Sequence, residues 1–412
     1  MKNGIVIVGN TFVDIKGFPF DKYIPAGRNA GSVEIVHGGV GRNVAEDIAN
    51  MELRPTYVSM VDDTAQGEEV IKKLRNHKVN TDYIVSLPDG MGIWLAVFDE
   101  TGDVVGSISK RPVMDAMAEL LDKKGEEIFS ECDSVVLEID MDKEVVKRVL
   151  RLAAKYNKKV YAVVANMSIA SDRRDFLQQT DCFVCNLQEA EILFVDSFAD
   201  LTPEQLSKEL VSRLIRAKIP SMIVTLGSRG SVYADCSGTH GTYCADKVKV
   251  RDTTGAGDAF CAGVAAGLTY GKDLPGAVQI GTRLAASVIT VSENVCPRFR
   301  PEELGLTVRR DVHPELYFGD EELKNADLYI LPDSHRKQYG EWLLQGDEGI
   351  LVYDPETGYT VAGDTFLYTE GKGPAEPFRL YLGANSPHLE DGTARQAAEL
   401  LTAIGTEKED AE

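Results

Sequence analysis

At 412 residues the chain is long enough for two or three domains of roughly 150 residues each, and it can bury a large core without disulfide or metal staples. Its 43% apolar and 26% charged residues are the balance of a soluble globular enzyme. A formal charge of −21 argues against a polyanion-binding surface, so neither nucleic acid nor an acidic membrane surface is an expected partner. No apolar run approaches the roughly 18 residues of a membrane span. The opening Met1-Lys2-Asn3-Gly4 leads into a short apolar segment, Ile5–Asn10, too brief for a signal peptide. Seven cysteines without regular spacing point to a reducing compartment, so a cytoplasmic location is expected.

In chain order, Gly4–Gly9 reads as a strand, nearly continuous in apolar residues as expected when both sheet faces are covered. Its end, Gly9-Asn10-Thr11-Phe12-Val13-Asp14, places a carboxylate at the C-terminal edge, able to accept hydrogen bonds from two vicinal hydroxyls or simply to be solvated. Residues 15–36 depart from the helix–strand alternation. His37-Gly38-Gly39-Val40-Gly41-Arg42-Asn43 then opens a helix with Val40, Val44, Ile48 and Met51 on one face. Three glycines there clear side chains from a surface, and Asn43 lies one turn from Gly39. Backbone and amide can thus meet a polyhydroxyl ligand together, or the glycines serve only a tight turn.

A strand at Thr56–Met60 follows, then Met91–Phe98 and Asp103–Ser109 joined by Asp99-Glu100-Thr101-Gly102, which reads as a hairpin. With residues 15–36 this hairpin is expected to form a lid over a site at the strand ends. Met91, Ile93 and Trp94 in it supply apolar area for a flat group. Strands Ser134–Ile139, Lys159–Ala165, Cys182–Asn186 and Met222–Leu226 alternate with helices carrying Val145, Val149 and Leu152 on one face, and Ile280, Leu284, Val288 and Val291 on another. The expected class is α/β, a three-layer α/β/α sandwich. Cys182 and Cys185 have metal or redox spacing, but they sit in an apolar strand with no second pair, so neither use is expected.

Three further loops carry candidate chemistry. Asn186-Leu187-Gln188-Glu189 puts Asn and Glu one turn apart, either to organise a hydrated Mg²⁺ or as an N-cap with its partner Glu. Thr225-Leu226-Gly227-Ser228-Arg229-Gly230 either cradles phosphates or is a glycine-bearing hairpin turn. Asp252-Thr253-Thr254-Gly255-Ala256-Gly257-Asp258 precedes the helical Ala259–Thr269. Gly255 and Gly257 let backbone N–H groups converge at a helix N-terminus, where the dipole favours anions. Asp258 in the first turn is placed to stay ionised and accept a proton. Gly263 and Gly267 share a face, which suggests close helix packing behind the loop. Neither a P-loop nor a strand-associated GxGxxG is present.

A boundary is expected near residue 307. Residues 308–412 hold 9 basic and 22 acidic residues and 7 of the 15 tyrosines. Apolar runs at Leu328–Leu331, Gly349–Tyr353 and Thr360–Tyr368, with a helical pattern near Thr393–Ile404, suggest a small α+β C-terminal domain of no recognised family.

Taken together, the motifs in residues 4–304 resemble the ribokinase-like, or PfkB, carbohydrate kinases, with the Asp252–Asp258 string as the most specific match. The resemblance implies an ATP-dependent, Mg²⁺-requiring phosphotransferase acting on a primary hydroxyl. By it, Asp258 is the catalytic base and Gly255, Ala256 and Gly257 form the anion hole. Asn186 and Glu189 organise metal and phosphate, with Glu189 on the metal side. Thr225, Gly227 and Gly230 fall in the ATP site, and Asp14, Gly39 and Asn43 hold the sugar hydroxyls. Asp252 falls where many members bind a monovalent cation, usually K⁺.

Gly38–Asn43 is most similar to pseudouridine kinases, since ribokinases and phosphofructokinases typically carry Lys where Val40 stands. The expected acceptor is the 5′-hydroxyl of pseudouridine. Alternatives are ribokinase, fructokinase or another nucleoside kinase, or a catalytically silent nucleoside sensor. Ser109-Lys110-Arg111 and Asn166 depart from the family pattern, replacing an expected Asn-Asp pair and an Asp. A homodimer through the lid is a family-level expectation.

Overall fold

The computed structural model describes residues 4–166, 171–291, 293–306, 361–362, 366–372 and 377–383. Contacts divide the chain into two units, Met1–Phe299 and Arg300–Glu412.

The first unit begins with β1 (Ile5–Val8), β2 (Phe12–Pro19), β3 (Gly31–Gly38) and α1 (Val40–Asn50). It continues through β4 (Thr56–Val61), α2 (Ala65–Asn76), β5 (Ile84–Ser86), β6 (Gly92–Phe98), β7 (Val104–Lys110) and α3 (Asp115–Ser130). Next come β8 (Ser134–Glu138), α4 (Lys143–Lys155), β9 (Val160–Val163), the single-turn α5 (Arg174–Leu177), β10 (Cys182–Asn186) and α6 (Leu187–Phe194). The unit is completed by α7 (Pro203–Ala217), β11 (Ser221–Thr225), β12 (Ser231–Asp235), β13 (His240–Tyr243), α8 (Ala256–Thr269) and α9 (Leu274–Val288).

Nine strands form one sheet in the order β13-β12-β11-β10-β9-β8-β1-β4-β5. All run parallel except β12, which pairs antiparallel with both neighbours. The apolar runs are explained by period-two burial on both faces. Val6 and Val8 join a core cluster with residues of α3 and α4, whereas Ile5 and Ile7 are equally buried outside that cluster. Helices α1, α8 and α9 pack against one another to form one layer, and α3 and α4 pack together in the other. This is the three-layer α/β/α arrangement that the resemblance to ribokinase-like kinases implies. Local chemistry starts the helices as expected: Thr202 and Gln205 form a capping box for α7, with Pro203 at its first position.

A second sheet, β3-β2-β6-β7, is the lid. The hairpin turn falls at Asp99–Gly102 and the two hairpin strands pair antiparallel. In the register, Asp14 lies between Val36 and Trp94, and Ile15 between Ile35 and Leu95. One lid face therefore carries Asp14, Lys16 and Trp94; the other carries Val33, Ile35, Leu95 and Ile108, all exposed. The apolar trio expected to act together does not share a face. Met91 is fully buried, and Ile93 is one residue out of phase with Trp94, because strand side chains alternate.

In the second unit the described residues form a short 3₁₀ turn at Pro301–Leu304 and a three-stranded antiparallel sheet. Its strands are β14 (Val361–Ala362), β15 (Phe366–Lys372) and β16 (Pro377–Gly383). The runs Leu328–Leu331 and Gly349–Tyr353 and the helix expected at Thr393–Ile404 lie outside the described residues.

The glycine face of α8 has the expected packing role. A Cβ at Gly263 would lie 2.7 Å from the Gly281 Cα of α9, and one at Gly267 would lie 2.8 Å from the Ala277 Cα. Gly263→Val should cost about 1–3 kcal/mol through forced helix separation, seen as a lower denaturant midpoint in equilibrium unfolding, with Gly263→Ala milder.

Candidate active site

The candidate residues gather at the C-terminal ends of the parallel strands, where open α/β sheets bind ligands. β1 ends in a loop held by a buried pair of contacts: Asn10 donates its backbone N–H to Glu138 Oε2 at 2.8 Å and its Nδ2 to Oε1 at 2.9 Å. Burial, with Asp140 nearby, raises the Glu138 carboxyl. The loop then presses on the start of α1. Gly39, the N-cap, has φ of 99°, and a Cβ there would lie 2.4 Å from the Asn10 carbonyl oxygen. Only glycine tolerates both demands. Next door, a Cβ on Gly38 would fall 2.3 Å from the Asp14 carboxylate, so the missing side chain is what admits Asp14 to this corner.

The second helix start is Gly255, the N-cap of α8, at φ 82°. A Cβ there would lie 2.0 Å from the Asn294 carbonyl oxygen, whereas one on Gly257 would meet nothing within 4 Å. The turn at Gly255 is thus forced by packing, and Gly257 leaves an open cradle beside the first-turn amides. Asn43 of α1 donates Nδ2 to Asp258 Oδ2 at 2.6 Å, joining the two helix starts. Burial raises the Asp258 carboxyl to about 6, with Asp14 adding to the rise while Asn43 and Arg42 oppose it. Burial likewise raises Asp14, against the pull of Lys16 and Arg42. Asp14, Asn43 and Asp258 therefore occupy one electrostatic neighbourhood.

Asn186 and Glu189 form a reciprocal capping box: Asn186 Oδ1 accepts from the Glu189 N–H at 2.9 Å, and Glu189 Oε2 accepts from the Asn186 N–H at 2.8 Å. The local reading of this motif is realised, and it leaves Glu189 Oε1 without a hydrogen bond among the described residues. Burial raises Glu189, with Asp140 and Asp258 adding to it. That clustered negative charge suits a divalent cation. Among the described residues, no three His, Cys, Asp or Glu side chains are grouped to cage a metal. One carboxylate with a free oxygen matches the few protein ligands that Mg²⁺ takes beside waters and phosphates.

Thr225 ends β11 directly opposite Asn186 in the sheet register. Gly227 leaves open space, whereas a Cβ on Gly230 would lie 2.0 Å from the Tyr243 carbonyl oxygen, so Gly230 has a packing role in this turn. Asp252 is exposed and accepts the Thr254 N–H at 2.9 Å. Burial raises its carboxyl, but the Thr254 contacts hold it below the usual range on balance. No hydrogen bond joins Asp252 to Asp258 among the described residues.

Several participants had no role assigned by the motifs. Asn294 donates to the His37 carbonyl at 3.2 Å and to Asn43 Oδ1 at 3.3 Å. Asp140 accepts from the Ala165 and Asn166 backbone N–H groups and pairs with Arg111 at 2.5 Å. The departures at Arg111 and Asn166 thus meet at one carboxylate. Cys182 and Cys185 are buried in β10, and burial pushes the Cys182 thiol to about 12 and raises that of Cys185 well above its ordinary value.

The pfkB family carbohydrate kinases match residues 2–295, and the chain belongs to that family. A guanosine-inosine kinase from Exiguobacterium acetylicum is 34% identical over 294 residues, covering 71% of this chain and 96% of that protein. The pseudouridine kinase of Escherichia coli K12 is 27% identical over 266 residues, covering 64% of this chain and 83% of its own length. The structure of Arabidopsis thaliana ribokinase complexed with ribose and ATP superposes with a TM-score of 0.63 at 20% identity, over 74% of this chain and 99% of that one. The protein is an ATP-dependent carbohydrate or nucleoside kinase. No helix among the described residues is long and apolar enough to cross a membrane.

Proposed function

We propose that this kinase transfers the γ-phosphoryl group of ATP to the 5′-hydroxyl of a nucleoside in the cytoplasm. The observation that carries the nucleoside reading is the pairing of Asp14 with Trp94 on one lid face, a hydroxyl acceptor beside an aromatic plane. Trp94 meets Phe98 edge-on at 6.4 Å, and Phe98 stacks on Phe18 at 4.6 Å, which stiffens the platform. Asp14, the Gly39 backbone and Asn43 hold the ribosyl hydroxyls while the base covers Trp94. Arg42 is engaged with buried Glu46 and Lys110 with Asp89, so neither is free to meet a phosphorylated acceptor.

In the chemical step, Asp258 takes the hydroxyl proton on the oxygen that Asn43 leaves free. The substrate oxygen bonds to the γ-phosphorus, the bond to the bridging oxygen breaks, and ADP departs. The Gly255 and Gly257 amides, with that of Ala256 shared with the Thr253 carbonyl at 3.3 Å, receive charge developing on the transferring group. Thr225, Gly227 and Gly230 line the ATP side. Asn186 and Glu189 would hold the hydrated Mg²⁺, which would supply charge neutralisation, and Asp252 would contribute to a K⁺ site.

Asp258→Asn should lower kcat by roughly 10²–10⁴ with little change in substrate affinity. Because the base works deprotonated and its carboxyl is raised to about 6, kcat/KM in the wild type should climb with pH through about 6 and level off above. Near-normal turnover by Asp258→Asn would refute the assignment.

The relative at 34% identity favours purine nucleosides as acceptors. Pseudouridine is the second reading, favoured by Gly38–Asn43. A panel assayed with and without K⁺ should rank guanosine and inosine first, then pseudouridine, free ribose, fructose and sugar phosphates. Trp94→Ala should weaken nucleosides by about 1–3 kcal/mol, or about 5- to 150-fold in kcat/KM, and leave ribose unchanged. Preference for fructose or a sugar phosphate would overturn the nucleoside reading.

The exposed apolar lid face (Val33, Ile35, Leu95, Ile108) supports a homodimer. The mass by light scattering should be that of two chains and fall to one in Ile35→Glu/Ile108→Glu. A wild-type monomer would exclude it.

A further inference from the structure

An asparagine amide has a donor end and an acceptor end, and only one orientation of Asn43 serves a carboxylate base. Asn43 directs Nδ2 at Asp258, so its Oδ1 must face elsewhere. That oxygen faces Asn294, whose Nδ2 lies 3.3 Å away. Turning the Asn43 amide over would set an N–H group against an N–H group there and an oxygen against the Asp258 carboxylate. Asn43 is only 5% exposed, so water cannot readily compensate for either mismatch.

Asn294 is itself held from two sides. Its Nδ2 also donates to the His37 carbonyl at 3.2 Å, and Arg42 Nη2 donates to the same oxygen at 2.5 Å. Its backbone carbonyl packs against Gly255 closely enough to exclude any Cβ. One residue thus touches the segment before α1, the amide of Asn43 and the N-cap of α8.

We infer that Asn294 is a positioning residue that fixes the Asn43 amide with its donor toward Asp258, keeping one carboxylate oxygen engaged and the other free for the acceptor hydroxyl. This inference rests on the proposed role of Asp258 as the base.

The groups around Asp258 are Asp14 of β2, Arg42 and Asp47 of α1, Glu189 of α6 and Cys261 of α8. Replacing Asn294 with Ala changes none of their charges, so a shift of the acid limb in that variant reports the amide. A donor to a carboxylate favours its charged form, so loosening that donor raises the pH at which the base becomes competent.

The test compares kcat/KM against pH for wild type, Asn294→Ala, Asn294→Leu, Asn43→Ala and the Asn43→Ala/Asn294→Ala double variant, each first checked by thermal melting. Asn294→Ala should move the acid limb upward by about 0.5–1 pH unit. Asn294→Leu, close in size and uncharged but with no donor for Asn43 Oδ1, should move it in the same direction. Should Asn294→Ala fail to fold, the near-isosteric Asn294→Leu carries the test. In the Asn43→Ala background, Asn294→Ala should bring no further loss, since its effect runs through Asn43.

Unmoved acid limbs in both Asn294 variants, or losses that simply add in the double variant, would overturn the inference. Asp258→Asn run alongside separates the two ideas. Near-normal turnover in that variant removes the proposed base itself, whereas an inactive Asp258→Asn with unmoved Asn294 profiles removes only the positioning role.

Discussion

One hydrogen bond, from Asn43 Nδ2 to Asp258 Oδ2, ties together two helix starts that lie 215 residues apart in sequence. It requires α1 and α8 to begin at fixed points, and the surrounding structure meets that requirement. Each start is a glycine in the left-handed region whose Cβ would strike a carbonyl from another segment, Asn10 for Gly39 and Asn294 for Gly255. These loops are therefore rigid through contact, although glycine-rich sequences are flexible in isolation. The site inherits its precision from the sheet, because β1 delivers Asn10 and its contact with Glu138 anchors that loop across to β8.

Helix α1 turns polar residues inward to hold this position. Arg42 and Glu46 are both buried and paired, and Lys73 and His77 of the α2 region approach Glu46 at 3.2 and 3.3 Å. Burial would raise Glu46, but Arg42, His77 and Lys73 together hold it below the ordinary range. Asp47 accepts the Cys296 N–H at 2.6 Å, and Asn50 donates to the Cys296 carbonyl at 2.6 Å, fastening the segment that follows Asn294. Buried ionic groups are a poor source of stability but are strict about geometry, since breaking one pair strands the other charge. In this chain, that strictness falls on the helix carrying Asn43.

The lid divides its duties by strand alternation. Its inner register places Asp14, Lys16 and Trp94 together, while the opposite register exposes aliphatic side chains. Lys16 makes no ion pair among the described residues, yet its charge is felt at both Asp14 and Asp252. Arg42, Lys110 and Arg111 are all engaged by carboxylates. Those three cations thus serve to fix neighbouring carboxylates, whereas Lys16, unpaired among the described residues, stays beside Asp14.

The family and the α/β order were legible because strongly apolar strands and two glycine-rich helix starts leave local signatures. Asp14, Asn43 and Asp258 were legible as site candidates, and the hairpin Met91–Phe98 with Asp103–Ser109 stood out by its turn. Other features depended on partners distant in sequence. The charge that Asp140 and Asp258 set around Glu189 came only with the fold, whereas the separation of Ile93 from Trp94 and the Asn186–Glu189 capping box follow from local rules. Asp140 carried no motif at all, and Asn294 lay in a stretch, Ser292–Pro297, similar to pseudouridine kinases in which no single residue had a role. By itself the sequence determined the strands, the helix starts and the chemical types available at their ends, since those follow from local periodicity and backbone preference. The tertiary structure alone decided which carboxylates are raised, which cations are already engaged and which way the Asn43 amide faces, because burial and hydrogen-bond pairing exist only once distant segments meet.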